Sequence, residues 1–206
     1  MQASINFEEV AIKTLSEHGI IGSDVPSIIN SFKPAGNLLV KYGDEETVVS
    51  MGNKLEPAQT AELPSFMLTV SSAGDEIVKD GDLVTLILTD PDAPSRTDHK
   101  WSEFLHYMEI NMVLHTDDEV SFVPLEGETI ARYVGPGPPA GTGPHRYIWL
   151  LYKQPNGRIV EENADQLRLR KNWGYKDVKP PVGVEKWASE KGLQLIGANF
   201  FYAENK

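Results

Sequence analysis

The spacing of apolar positions changes along the chain. Over residues 6–18 they recur at helical intervals, with Phe7, Val10, Ala11 and Leu15 predicted on one face. Asn6 stands where a cap belongs, Glu9 three residues on can return the bond, and Gly19 marks the stop. Beyond Pro34 the period becomes that of strands. Asn37 to Tyr42 and Thr47 to Met51 are predicted strands around the acidic turn Gly43-Asp44-Glu45-Glu46. Phe66, Leu68 and Val70 alternate with other residues, as in a half-buried strand. Leu83 to Leu88 is nearly all apolar and ends at Thr89, which predicts a central strand covered on both faces. Phe104 to Met112 alternates again, and a regular strand would place Phe104, His106, Met108, Ile110 and Met112 together. His145 to Tyr152 is a further strand.

Residues 155–182 are polar and turn-rich, with Pro155-Asn156-Gly157 and Lys179-Pro180-Pro181, and predict a long loop with one or two short helical turns. Val184 to Lys191 predicts a short helix stopped by Gly192, and Leu193 to Tyr202 a closing strand. Several short strands, many turns and helices only near the ends predict a mainly β fold, an antiparallel β-sandwich. One domain is expected over residues 1–206, with residues 1–5 protruding ahead of the first helix as a tail.

Charge and composition narrow the function. Nineteen basic against 30 acidic residues give a net charge of −11, which repels nucleic acid and anionic bilayers at long range. With no cysteine, disulfides, thiolate metal sites and thiol catalysis are excluded. The opening residues have neither a basic nor a long apolar region, so no secretory signal is expected. The longest apolar stretches, Leu86 to Leu88 and Tyr147 to Tyr152, are too short to span a bilayer. No integral membrane association is expected, and a cytoplasmic protein is.

Two segments carry the candidate chemistry. The first is Asp90-Pro91-Asp92-Ala93-Pro94-Ser95-Arg96; the second runs from Gly135 through Pro136-Gly137-Pro138-Pro139-Ala140-Gly141-Thr142-Gly143-Pro144 to His145-Arg146-Tyr147. Each joins a Pro/Gly turn to an apolar strand. Pro91 and Pro94 stiffen the first loop, and Pro94 is a candidate for the cis form. Asp90, at the end of a buried strand, needs partners, while Asp92 is placed to brace the loop by accepting backbone N–H bonds. In the second segment the glycines allow close backbone approach, and successive N–H groups can form an anion nest. His145 and Tyr147, two apart on a strand, share a face. If His106 and Asp90 converge there, two imidazoles, a phenol and a carboxylate meet in one pocket. A phosphate monoester fits that set, with a protonated histidine balancing its charge.

Other readings stay open at this point. Asp90-x-Asp92 could mark a metal site, though no His-x-x-x-His or acidic ladder accompanies it. The glycine run lacks the Lys-Ser/Thr of a P-loop, and there is no Gly-x-Ser-x-Gly elbow. Each histidine taken alone could be a satisfied core residue. No catalytic residue, metal or cofactor is expected.

Both segments resemble the signature of the phosphatidylethanolamine-binding protein family, and the similarity in order and spacing covers most of residues 35–205. The resemblance implies a sandwich of two antiparallel sheets with a Greek-key element and an anion pocket at one strand edge. The pocket residues it implies are Asp90, Ala93, Pro94, Trp101, Phe104, His106, Gly135, Gly137, Pro138, His145 and Tyr147. It further implies a non-proline cis bond near the first segment, at Ser102-Glu103. Animal members usually carry Tyr and Trp where Trp101 and Phe104 stand. The runs Thr97 to Phe104, Lys171 to Tyr175 and Asn199 to Glu204 resemble instead the fungal branch that inhibits serine carboxypeptidases of the carboxypeptidase Y type.

In that branch the N-terminal segment occupies the protease active site, which makes Met1, Gln2, Ala3, Ser4 and Ile5 the expected protease contacts and adds the vacuole as a location. Acetylation at Met1-Gln2 would remove the tail's positive charge and lower the cost of entering an apolar protease pocket. The alternative implied is a regulator that binds an anionic phospholipid headgroup or another phospho-ligand, with a protein of kinase or small-GTPase signalling as partner.

Overall fold

A computed structural model describes residues 7–22, 28–43, 47–70, 77–117, 120–175 and 183–206. The tail Met1 to Ile5, the cap Asn6, the acidic turn at 44–46 and the Lys179-Pro180-Pro181 turn lie outside the described residues.

Two sheets form the body. The smaller contains β1 (Gly36–Tyr42), β2 (Thr47–Val48), β4 (Ser65–Val70), β7 (His115–Asp117) and β8 (Val120–Phe122), in the order β2-β1-β4-β8-β7. The larger contains β3 (Asn53–Lys54), β5 (Leu83–Asp90), β6 (Phe104–Val113), β9 (Glu128–Ala131), β10 (His145–Lys153) and β11 (Gln194–Ala203), in the order β3-β11-β10-β5-β6-β9. The pairings are antiparallel except that of β3 with β11 at the edge. Three helices, α1 (Phe7–Glu17), α2 (Ala164–Leu167) and α3 (Val184–Glu190), complete the described structure, with 3-10 turns at Pro57–Thr60 and Asn172–Gly174.

The larger sheet is covered on both sides, which explains its apolar runs. Val84, Leu86, Leu88, Tyr147, Trp149 and Leu151 face the smaller sheet, where they meet Leu38, Val40, Phe66 and Leu68. The intervening Ile87, Ile148 and Leu150 face a second core with Leu15, Trp173, Val184 and Trp187. Removing such apolar surface from water on both faces is the main drive for this layering. Buried polar groups are paired within it: the Trp149 indole N–H donates to the Tyr42 hydroxyl at 3.1 Å. The Asn199 amide donates to the carbonyls of Leu38 and Val49 at 2.8 and 3.1 Å, stitching β11 to the smaller sheet.

Three expectations are corrected. Val10 is 47% exposed, so α1 buries a narrower stripe through Ala11 and Leu15. The predicted strand Thr47 to Met51 is a strand only over Thr47–Val48, in the smaller sheet; Met51 lies in a turn at φ 37°, and the next strand, β3, belongs to the larger sheet. The alternation of β6 is also interrupted: Tyr107 and Met112 face the inter-sheet core, whereas Leu105, Met108 and Ile110 face the helices. Register shifts against β5 and β9, and Asn111 at φ 62°, account for this.

Candidate anion-binding site

The register of the larger sheet brings the end of β5 beside the starts of β6 and β10. Asp90 lies opposite Phe104, and Thr89 lies opposite both Leu105 and Ile148. The two signature segments therefore meet at one sheet end.

In the first segment the two aspartates have different tasks. Asp90 is buried; its Oδ1 accepts the Asp92 N–H at 2.7 Å and its Oδ2 lies 2.9 Å from His145 Nδ1. Asp92 is also buried, and Arg146 holds both of its oxygens. Oδ2 accepts from the Arg146 backbone N–H at 2.8 Å and Nε at 2.9 Å, while Oδ1 accepts from Nη2 at 2.7 Å. This planar fork suits a carboxylate and leaves no opening for a metal cradle at Asp90-x-Asp92. Arg146 Nη1 continues to the carbonyls of His18 and Gly19, each at 3.0 Å, just past the end of α1. Adjacent residues of β10 thus point opposite ways: His145 to the site, Arg146 to the helix that follows the tail.

The Ala93-Pro94 and Ser102-Glu103 bonds are both cis, as expected. Ala93 is buried, and its carbonyl accepts the Trp101 N–H at 3.2 Å. The half-buried Trp101 ring carries Lys171 Nζ 3.9 Å from its centroid and Lys100 at 5.4 Å.

The second segment is fixed against its surroundings. A Cβ on Gly135 would fall 2.9 Å from the Thr60 carbonyl oxygen, so the loop packs there only with glycine. Pro138 is buried and Gly137 is exposed. The Thr142 hydroxyl donates to the Pro139 carbonyl at 2.7 Å and meets His145 Nε2 at 3.0 Å. Both ring nitrogens of His145 are therefore engaged, by Asp90 and Thr142.

His106 is arranged differently. Its Nδ1–H donates to the Val134 carbonyl at 2.7 Å, which leaves Nε2 to act as the acceptor of the neutral ring. The rings form a continuous wall: Phe104 to His106 at 4.8 Å, His106 to Tyr147 at 5.2 Å and Tyr147 to His145 at 6.4 Å. Arg170 fixes the backbone beneath, with Nη1 donating to the carbonyls of Leu105 and His106 at 3.0 and 3.1 Å.

Burial lowers the pKa of His106, partly opposed by the Asp90 carboxylate, so the imidazole without a ligand is neutral at pH 7. The expected protonated histidine is thus not the resting state at this position. Burial and then Asp90 hold the Tyr147 hydroxyl well above the ordinary phenol range, and the Gly137 backbone opposes them. Tyr147 stays a donor. A dianion placed on this wall would draw a proton onto His106 and convert Nε2 from acceptor to donor.

Glu103, beside the wall, is buried, and desolvation pushes its pKa up to about 7. Its oxygens accept from the Thr89 hydroxyl at 2.8 Å and the Val184 N–H at 3.2 Å, and a Cβ on Gly183 would lie 2.0 Å from Oε1. Because the folded-state pKa exceeds the unfolded value, the fold binds this proton more tightly. The stabilisation is complete below the unfolded pKa and is lost as pH rises through about 7. Relative to Glu103→Gln, the chain should lose about 1–3 kcal/mol of stability between pH 5 and pH 8. Urea unfolding of both chains at the two pH values measures this; parallel pH dependence would refute it.

Asp90, Phe104, His106, Gly137, His145 and Tyr147 are thus brought together, while Ala93, Pro94 and Trp101 form the adjoining loop. Thr142, Val134 and Arg170 were not singled out from the sequence. Thr142 stands in the second motif, but nothing near Arg170 in the chain signals its hold on His106. Among the described residues, no group of three or more His, Cys, Asp or Glu could hold a metal ion.

Comparison with known proteins places the chain in a family. The family model for phosphatidylethanolamine-binding protein matches residues 31–201. The chain is 40% identical to the carboxypeptidase Y inhibitor of Saccharomyces cerevisiae over 225 aligned positions, covering 100% of both chains. The crystal structure of carboxypeptidase Y inhibitor complexed with the cognate proteinase matches with a TM-score of 0.84 at 42% identity, again over 100% of both chains. The phosphatidylethanolamine-binding protein from Plasmodium vivax, with a TM-score of 0.62 and 20% identity over 95% of this chain and 97% of that one, shares the fold. With the two signature segments, the two-sheet architecture and the family model in agreement over most of its length, the chain belongs to the phosphatidylethanolamine-binding protein family.

Proposed function

We propose that this chain is a protein inhibitor of a serine carboxypeptidase, with Met1 to Ile5 as the segment that enters the protease cleft. The observation that carries this reading is the full-length correspondence with carboxypeptidase Y inhibitor, in sequence and in fold. The Arg146 clamp supports it: the end of α1 is tied to a stiff loop of the body, so a segment ahead of α1 is presented from an anchored helix. A tail held this way loses less freedom on binding than one on a mobile arm. Carboxypeptidase Y assayed with the full chain and with a chain starting at residue 6 tests it. Truncation should raise the half-inhibitory concentration at least tenfold, and equal inhibition by the two chains would discard the tail mechanism.

The second reading concerns the pocket, which serves as a site for a phosphate-type anion on a free or lipid-borne headgroup. It rests on His106 Nε2, which among the described residues is the imidazole nitrogen of the site without a hydrogen bond in the braced wall of His145, Asp90 and Tyr147. Both readings describe binding, not turnover. One chain can do both.

A further inference from the structure

Two neighbouring cations, Arg170 and Lys171, flank the anion pocket. Their segment runs along the start of β6. The Leu105 N–H donates to the Arg170 carbonyl at 3.0 Å, Lys171 forms an antiparallel bridge with Phe104, and the Asn172 N–H donates to the Trp101 carbonyl at 3.2 Å. The Arg170 guanidinium is bonded to carbonyls: Nη1 to those of Leu105 and His106, Nη2 to that of Arg132 at 2.8 Å. Lys171 Nζ lies 3.9 Å from the centre of the Trp101 ring, a cation–π contact that leaves its N–H groups able to donate. Lys100 shares that ring but pairs with Asp98 at 3.2 Å. Among the described residues, neither Arg170 nor Lys171 has a carboxylate within ion-pair distance. Carbonyls and a π face hold a cation in place without cancelling its charge.

The two charges reach the site differently. Arg170 bonds the His106 carbonyl from beneath, and burial first, then this cation, lower the pKa of the His106 ring against the pull of Asp90. Lys171 stands at the mouth. Burial falls along the wall, from His145 and Tyr147 at 1% exposed through His106 at 6% to the half-buried Phe104 and the exposed Lys171. Residues paired across strands project to the same side, so Lys171 lies next to Phe104, where the wall opens. A ligand with its phosphate at His106 would pass the rest of its body out along this end.

We propose that Lys171 is a specificity-determining residue of the anion pocket, selecting a phosphate ester with a second anionic group over one with an ammonium group. This rests on the pocket reading given under the proposed function. With the phosphate at His106 and Tyr147, a carboxylate or second phosphate would accept from Lys171 Nζ. An ammonium in that place would meet Lys171 and Arg170 as like charges. The net charge of −11 acts the other way, favouring at long range the ligand with fewer negative charges. A preference for the more anionic ester therefore reports the local cations.

The test is calorimetric titration of the full chain at pH 7 with ethyl phosphate, 2-phosphoglycolate and O-phosphoethanolamine, which differ in the group beyond the phosphate. 2-Phosphoglycolate should bind about fivefold more tightly than ethyl phosphate, and O-phosphoethanolamine more weakly than either. Lys171→Ala should bring 2-phosphoglycolate to within about twofold of ethyl phosphate, with ethyl phosphate itself changed less than about twofold. Lys100→Ala, which removes a cation already paired, should leave the ranking intact. Phosphatidylcholine vesicles containing a phosphatidylinositol monophosphate distinguish the sources: they displace 2-phosphoglycolate if the ligand is lipid-borne and do not if it is free, and in either case the ester ranking decides the proposal. Equal affinity for the three esters, tightest binding of O-phosphoethanolamine, or an unchanged ranking in Lys171→Ala would overturn the role of Lys171 and leave the pocket in place. Failure of all three esters to bind would instead remove the pocket reading, and this inference with it.

Discussion

Asp92→Ala is expected to destabilise the chain by about 3–5 kcal/mol, the cost typical of breaking a buried ion pair from one side. Asp92 is fully buried, and its two oxygens accept three hydrogen bonds from Arg146, two from the guanidinium. Among the described residues, the alanine variant would leave that cation bonded to the carbonyls of His18 and Gly19 alone, without a counter-charge at bonding distance. Arg96, the other cation near Asp92, is half-exposed at 3.8 Å and does not substitute for the fork. The damage should reach α1, because the same guanidinium bonds the two residues that follow it. For a chain of this length the loss corresponds to a fall in Tm of roughly 6–20 °C. Urea unfolding gives the free energy, and hydrogen exchange should show the first added opening in α1. A loss below about 1 kcal/mol would mean that Asp92 is not the clamp described.

The second large effect concerns the anion. His106→Ala should weaken sulfate binding about 10- to 100-fold, the range for losing one charge-assisted hydrogen bond in a buried site. His145→Ala should weaken it by a comparable factor through a different route, by releasing Asp90 and Thr142 from the wall. Sulfate is the useful ligand because it does not titrate near neutral pH, so any proton taken up on binding goes to the protein. Burial keeps His106 neutral in the free chain, with its pKa below the usual 6.5, and a bound dianion raises it. Binding therefore takes up a proton, and affinity falls as pH rises through the bound-state pKa. Calorimetry in two buffers of different ionisation enthalpy should report this uptake in the native chain and its loss in His106→Ala. No uptake in the native chain would contradict the protonation step.

Much of the framework was legible where one residue class dominates a whole element. Leu83 to Leu88 and His145 to Tyr152 are apolar on both faces because helices cover one side of their sheet and a second sheet covers the other. Features that depend on a few polar residues were not. The short strands β7 (His-Thr-Asp), β8 and β9 carry too little alternation to stand out, and the irregular course of β6 turns on register shifts and one left-handed asparagine.

The site divides in the same way. Each signature segment is contiguous, so its turn, its proline and its histidine could be read directly. That Asp90 meets His145, 55 positions later, depends on β5 and β10 being neighbours. That His145 has both nitrogens occupied while His106, among the described residues, has only one bonded depends on Val134 and Thr142. The hold of Arg170 on the His106 carbonyl, across 64 positions, leaves no local pattern at all.

The most direct measurement on the pocket is the imidazole ¹⁵N spectrum of His106 during a sulfate titration at pH 7. The free ring should be neutral with its proton on Nδ1, and at saturation both nitrogens should carry protons. His106 signals that stay unchanged at saturating sulfate would contradict an anion site on that nitrogen.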